Sequence, residues 1–179
     1  MPEPIEFHSV DALGAGAVGE PGQRTFYLQA RSESAQLTVL LEKEQVALLA
    51  AEAIAFLDRI QEQYPEDPII LPPALAELRE PMVPLFRARL IGLGFDPERE
   101  LVLIELRERA EEIEDGDDEP GDAGAGDEEE GYVARIYATR PQVRAMAARG
   151  AVVVSAGRPP CDLCGQPMDP SGHRCPRWN

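Results

Sequence analysis

Twice along this chain the hydrophobic period changes from that of a strand to that of a helix, and the two changes resemble each other. In the first, Phe26, Leu28 and Ala30 alternate with Thr25, Tyr27 and Gln29, the period of a half-buried strand. After the polar turn Arg31–Ser34, Leu37–Leu41 supplies a further strand. From Glu42 the apolar positions fall instead at Val46, Leu49, Ala50, Ala53, Phe56, Leu57 and Ile60, one stripe of a helix that Tyr64-Pro65 ends near Gln63. In the second, Leu85–Leu93 alternates through Phe86, Ala88 and Leu90. Arg99–Arg107 is apolar on both faces, which places it inside a sheet, and Tyr132–Ala138 is the last strand. Thr139-Arg140-Pro141-Gln142 then fits a capping box with an early proline, and opens a helix whose stripe is Val143, Met146, Ala147, Gly150 and Val154. The helix starts themselves correspond: Glu44–Ala51 reads Glu-Gln-Val-Ala-Leu-Leu-Ala-Ala, and Pro141–Ala148 reads Pro-Gln-Val-Arg-Ala-Met-Ala-Ala.

This pattern predicts an α+β fold built from two pseudo-repeats, each a hairpin, a strand and a helix. Either two antiparallel meander sheets or one continuous antiparallel sheet would carry the two helices. Ile5, Phe7, Val10, Leu13 and Val18, interspersed with glycines, add one or two short strands at the start, and Glu20-Pro21-Gly22-Gln23 has the residues of a type II turn. Phe95-Asp96-Pro97-Glu98 makes the corresponding turn of the second half. Repeat one spans about 5–64 and repeat two 85–157, joined by a connector, 65–84, that holds six prolines and a single helical turn within Ala74–Arg79. Residues 1–157 form the body and 158–179 a separate tail.

The 179 residues are 44% hydrophobic, enough for one core of ordinary size. The formal charge of −16 is a local property: twelve Asp and Glu and no cation lie within 111–130, a segment expected to be a disordered acidic loop, 110–130, between two strands. Residues 135–179 carry seven Arg against two Asp, so the chain is charge-polarised. Lys43 is its only lysine beside sixteen arginines, a ratio that reads as composition bias. No run of eighteen apolar residues exists and the N-terminus lacks the basic and apolar regions of a signal peptide, so no membrane insertion and a cytoplasmic location are expected.

All three cysteines and one of two histidines fall within fifteen residues, as Cys161-Asp-Leu-Cys164 and His173-Arg-Cys175. Cys-x-x-Cys offers two thiolates from a tight turn that Gly165 helps close, and 166–172 returns the chain so that His173 and Cys175 complete a tetrahedral set for zinc. Three cysteines and one histidine leave no open position, so this zinc is structural. Two alternatives stay open: a reduced, metal-free tail, and a redox pair Cys161–Cys164, although no strand-to-helix context surrounds the pair.

The stretches Val18–Ala30, Leu41–Ala50 and Ala156–Cys164, with Gly172–Arg177, resemble a bacterial family of domains of unknown function, the one numbered three thousand and ninety. The resemblance covers nearly the whole chain. It implies that Cys161, Cys164, His173 and Cys175 occupy family positions and that the acidic segment lies where members vary; it implies no activity.

Elsewhere the sequence offers little chemistry, and no catalytic residue is assigned. His8 is expected to cap or line the N-terminal strand. Gly14-Ala-Gly-Ala-Val-Gly19 matches G-x-G-x-x-G formally, but precedes a hairpin and not a helix, which argues against a nucleotide. Three functions remain. The first is a non-enzymatic interaction or regulatory protein whose zinc-held tail meets a protein partner. The second is an enzyme for a small phosphorylated or anionic compound, with Arg24, Arg87, Arg89 and Arg99 in one cleft. The third is RNA binding through Arg158, Arg174, Arg177 and Trp178, disfavoured by the acidic segment.

Overall fold

The computed structural model describes residues 3–108, 131–169 and 171–178. The expected acidic loop, 110–130, lies outside the described residues. The fold is α+β, in two four-stranded sheets. The first contains β2 (Ala12–Val18), β3 (Thr25–Arg31), β4 (Gln36–Leu41) and β5 (Phe86–Arg87). The second runs in the order β1 (Ile5–Phe7), β8 (Val133–Ala138), β7 (Leu101–Arg107), β6 (Leu90–Asp96). Helix α1 (Lys43–Gln63) follows β4 and α2 (Arg140–Ser155) follows β8.

Local chemistry accounts for the element ends. Gly22, with φ +96°, sits at the third position of the turn in which the Gln23 amide donates to the Glu20 carbonyl (2.9 Å), and the β2–β3 hairpin follows. Gln45 accepts from the Glu42 amide (2.8 Å) at the start of α1, and Gln142 accepts from the Thr139 amide (2.9 Å) at the start of α2. On α2 the last buried position is Val153 and not Val154, because the stripe steps three residues from Gly150; Val154 is only partly buried.

The pairing of the short strands has no counterpart in the sequence reading. Leu85–Leu93 is not one strand. Phe86–Arg87 pairs in parallel with Val39 and Leu40 of the first sheet, and the chain then crosses over so that Leu90–Asp96 joins the second. Conversely β1 pairs in parallel with β8, Ile5 beside Ala134. Each sheet is thus a three-stranded antiparallel meander extended by one parallel strand from the opposite half. One hydrophobic core joins them, with Val39, Val46, Leu57, Ile104, Ile136 and Met146 among its buried members.

Two faces depart from expectation for physical reasons. On β3, Gln29 belongs to the face opposite Phe26 and Leu28, and Arg31, expected in the polar turn, continues that face as the last residue of the strand; both are buried, because the proline-rich connector lies over them. Gln29 exchanges two hydrogen bonds of 2.8 Å with the Arg79 backbone, as a strand partner would, and Arg31 donates to the Glu77 carbonyl. On β7, interior as expected, only Val102, Ile104 and Leu106 are fully buried. The opposite face carries Glu105, which accepts from Arg107 and from Arg135 of β8 (2.8 Å each), while Arg135 also reaches Glu6 of β1 (3.2 Å).

The Arg135 hydrogen bond first, and Arg107 after it, hold the Glu105 carboxyl below the usual carboxylate value against the opposing effect of burial. The folded carboxyl therefore titrates below the unfolded one. Its stabilisation is full above the ordinary glutamate value of about 4.3 and is lost as pH falls through the lowered folded value. Glu105→Gln should lower the urea midpoint at neutral pH by the equivalent of about 1 kcal/mol, and the gap to wild type should close on acidification. A gap that stays constant from neutral pH to about pH 3 would contradict this account.

Candidate metal centre

The tail leaves α2 at Ala156 and folds back on itself through an isolated bridge between Pro160 and Pro167. The Cys161 amide donates to the Gln166 carbonyl and the Gly165 amide to the Cys161 carbonyl, both at 2.8 Å, which closes Cys161–Gly165 into a tight loop. Gly165 takes φ +72°, a left-handed conformation that a side chain would strain. A second turn, from the Gly172 amide to the Asp169 carbonyl, brings His173 and Cys175 back onto the first pair.

These turns bring together the four residues singled out by spacing. Their ligand atoms all lie within 4.8 Å of one another. Cys161 Sγ is 3.9 Å from Cys175 Sγ, and Cys164 Sγ is 3.3 Å from His173 Nε2. The cysteines are unbridged. Such a group, four donors converging from two turns, is a possible metal-binding site. The backbone amides of Cys164 and then Leu163 hold the Cys161 thiol below its usual value, favouring the thiolate a metal requires. Cys164 also receives the Gln166 amide, but burial and the adjacent sulfurs of Cys175 and Cys161 hold it above the usual thiol value. Two sulfurs this close resist ionising together, and a cation would remove that resistance.

The tail is tied down by its own arginines. Arg158 pairs with Asp169 at 2.7 Å, and Arg177 donates to the Leu163 carbonyl at 3.2 Å. The family model described as "Protein of unknown function (DUF3090)" matches residues 5–175. The chain belongs to this family. The match spans both sheets and both helices and ends on Cys175, so it takes in all four residues of the possible metal site. No curated protein and no solved structure matches the chain.

His8 and the arginines expected in one cleft do not assemble with this centre. His8 is largely exposed, 3.6 Å from Glu6 and stacked on Tyr137. Of the four arginines expected in one cleft, Arg24 donates to the Val153 carbonyl, Arg87 pairs with Glu42, Arg99 lies 4.5 Å over the Tyr137 ring, and Arg89 is exposed. They meet different neighbours because they sit on different sheets and on opposite sides of the crossover at Ala88. Gly14 and Gly16 serve packing: a Cβ on Gly14 would stand 2.7 Å from the Ala76 carbonyl oxygen, and one on Gly16 2.7 Å from the Leu78 side chain. Sequence reasoning missed Arg140, buried at the first position of α2, which donates to the Tyr64 carbonyl at the end of α1 and pairs with Glu66 at 3.1 Å. Its only signal was its place in the capping box. No helix among the described residues is long and apolar enough to cross a membrane.

Proposed function

We propose that this chain is a non-enzymatic interaction protein, in which a structural zinc ion holds the tail in shape for a protein partner. The observation that carries the reading is the closed donor set. Three sulfurs and one imidazole nitrogen lie within 4.8 Å of one another, the donor set of a closed tetrahedral zinc site, and among the described residues no further Cys, His, Asp or Glu joins the group. Zinc–sulfur bonds of about 2.3 Å and zinc–nitrogen bonds of about 2.0 Å give tetrahedral edges of about 3.8 and 3.5 Å. The 3.9 Å and 3.3 Å separations lie close to those edges. Cys161, Cys164, His173 and Cys175 are the ligands on this reading, and the metal does no chemistry.

What the tail offers a partner is apolar. Trp178 is 80% exposed and Leu163 51%, with Arg177 bonded to the Leu163 carbonyl between them in the network. Large exposed side chains held on a rigid turn make efficient anchors, because little conformational entropy is lost when they dock. The arginines invoked for RNA are partly engaged inside the tail, Arg158 with Asp169 and Arg177 with Leu163, which weighs against that alternative. The body, residues 1–157, is on this proposal a duplicated scaffold, a view supported by the repeated order of meander and helix in each half. Partner sets captured with the full chain and with the Leu163→Ser/Trp178→Ala variant test the reading. Specific partners should be lost from the variant while its metal content stays unchanged; an identical partner set would remove the tail from recognition.

A further inference from the structure

Where the tail meets the body, three cations from three separate elements converge on an open cavity of about 240 Å³. Arg24 comes from the residue just before β3, Lys43 from the first residue of α1, and Arg158 from the beginning of the tail; Phe26 supplies an apolar wall. No carboxylate is among the lining residues, in a chain whose formal charge is −16. Arg24 is committed through Nη1 to the Val153 carbonyl, at 2.9 Å, and its guanidinium lies 5.2 Å from the centre of the Phe26 ring. Arg158 holds Asp169 through Nη1. Lys43, the chain's one lysine, has no hydrogen bond or ion pair among the described residues.

The backbone makes room for this cluster. A Cβ on Gly157 would stand 3.1 Å from Arg24 Nη2 and 3.2 Å from Lys43 Nζ, and one on Gly22 would stand 3.2 Å from the Arg158 guanidinium carbon. Arg24 Nη2 and Lys43 Nζ are thus near enough for one oxyanion to accept from both. Arg24 and Lys43 stand together without a carboxylate partner, and Arg158 holds Asp169 through Nη1 alone, so an anion among them is held by charge-assisted hydrogen bonds. A carboxylate is planar, singly charged and satisfied by one guanidinium. Three cations arriving from different directions match a tetrahedral dianion better. The cavity is open on one side, which leaves space beyond the phosphoryl group for a small organic portion against Phe26.

We infer that this cavity binds a phosphate dianion, carried by a small phosphorylated compound or free in solution. The inference goes beyond the interaction reading and rests on it in one respect: the tail must be folded for Arg158 to take its place. The test uses the full chain with its metal, and metal content is measured on every sample. Amide and arginine side-chain signals are followed by NMR during titration with glycerol 3-phosphate, with inorganic phosphate, and with sodium chloride at matched ionic strength. Saturable shifts at Gly22, Gly157 and Arg158 are expected with phosphate and not with chloride. Lys43→Gln changes an exposed side chain without a partner, and should weaken binding about tenfold with metal content retained. Tighter binding of the ester than of inorganic phosphate assigns the phosphorylated compound, and equal binding assigns free phosphate. Non-saturating shifts, shifts reproduced by chloride, or an affinity untouched by Lys43→Gln would each overturn the inference in metal-replete protein, leaving the metal reading intact.

Discussion

Replacing Cys164 by Ser should strip the purified chain of its metal, from about one equivalent to none, and unfold the tail from Pro160 to Trp178 while both sheets persist. The tail owes the core almost nothing: of its described residues only Cys161 is a buried hydrophobe, and Leu163 and Trp178 face solvent. Backbone bonds at Cys161, Gly165, Met168, Gly172 and Trp178 are too few to offset the conformational entropy of about twenty residues, at about 1 to 2 kcal/mol each. Binding free energies of about 10 to 16 kcal/mol, typical of small structural zinc sites, are of the size required. The measurements are metal analysis, thiol titration, and loss of amide dispersion confined to the tail. Wild-type protein that purifies without metal, with all three thiols freely titratable, would sink the site. A chelator should reproduce the effect of the substitution, since each removes the same cross-link.

Gly14→Val should cost about 3 kcal/mol and lower the melting temperature by roughly 10 °C. The first added carbon alone would stand 2.7 Å from the Ala76 carbonyl oxygen, 3.0 Å from its carbon and 3.1 Å from the Glu77 carbonyl oxygen. These are backbone atoms of the connector, held in place by the Gln29–Arg79 and Arg31–Glu77 bonds, and no side-chain rotation relieves the clash. Lifting the connector would also break those bonds and leave buried Gln29 unpaired. Gly92 is the internal comparison, since a Cβ there meets only the Glu105 Cβ at 3.9 Å, an ordinary contact. Gly92→Ala should leave stability unchanged or slightly higher. Equal losses at both positions would show that backbone freedom, and not the connector, sets the requirement at Gly14.

The same position shows what a sequence can and cannot disclose. That a hairpin and not a helix follows Gly14, Gly16 and Gly19 was legible from the turn residues after them; that a connector sixty residues away would press on β2 was not. Signals carried by neighbouring residues translated directly into structure. The turn at Gly22, the Thr139–Gln142 cap of α2 and the alternation of Phe26 with Leu28 depend on contacts within a few residues. The convergence of Cys161, Cys164, His173 and Cys175 was legible for the same reason, because two short turns suffice to close it. What escaped depends on pairing at a distance. A two-residue strand such as Phe86–Arg87 has too little pattern to reveal that it leaves its own half, and Gln29 reads as exposed until its partner at Arg79 is known. Lys43 drew notice only as a count; its meaning came from Arg24 and Arg158, neither of them near it in sequence.

The parallel pairing of β1 with β8 also has a consequence in time. Ile5 lies beside Ala134, and Glu6 reaches Arg135 across a separation of 129 residues. At ordinary rates of synthesis the first strand therefore leaves the ribosome on the order of ten seconds before its neighbour exists. The β2–β3–β4 meander and α1 have all their residues early, whereas β1 has no strand to pair with until β8 is made. The N-terminal segment is the first strand made, and its sheet partner is the last strand made.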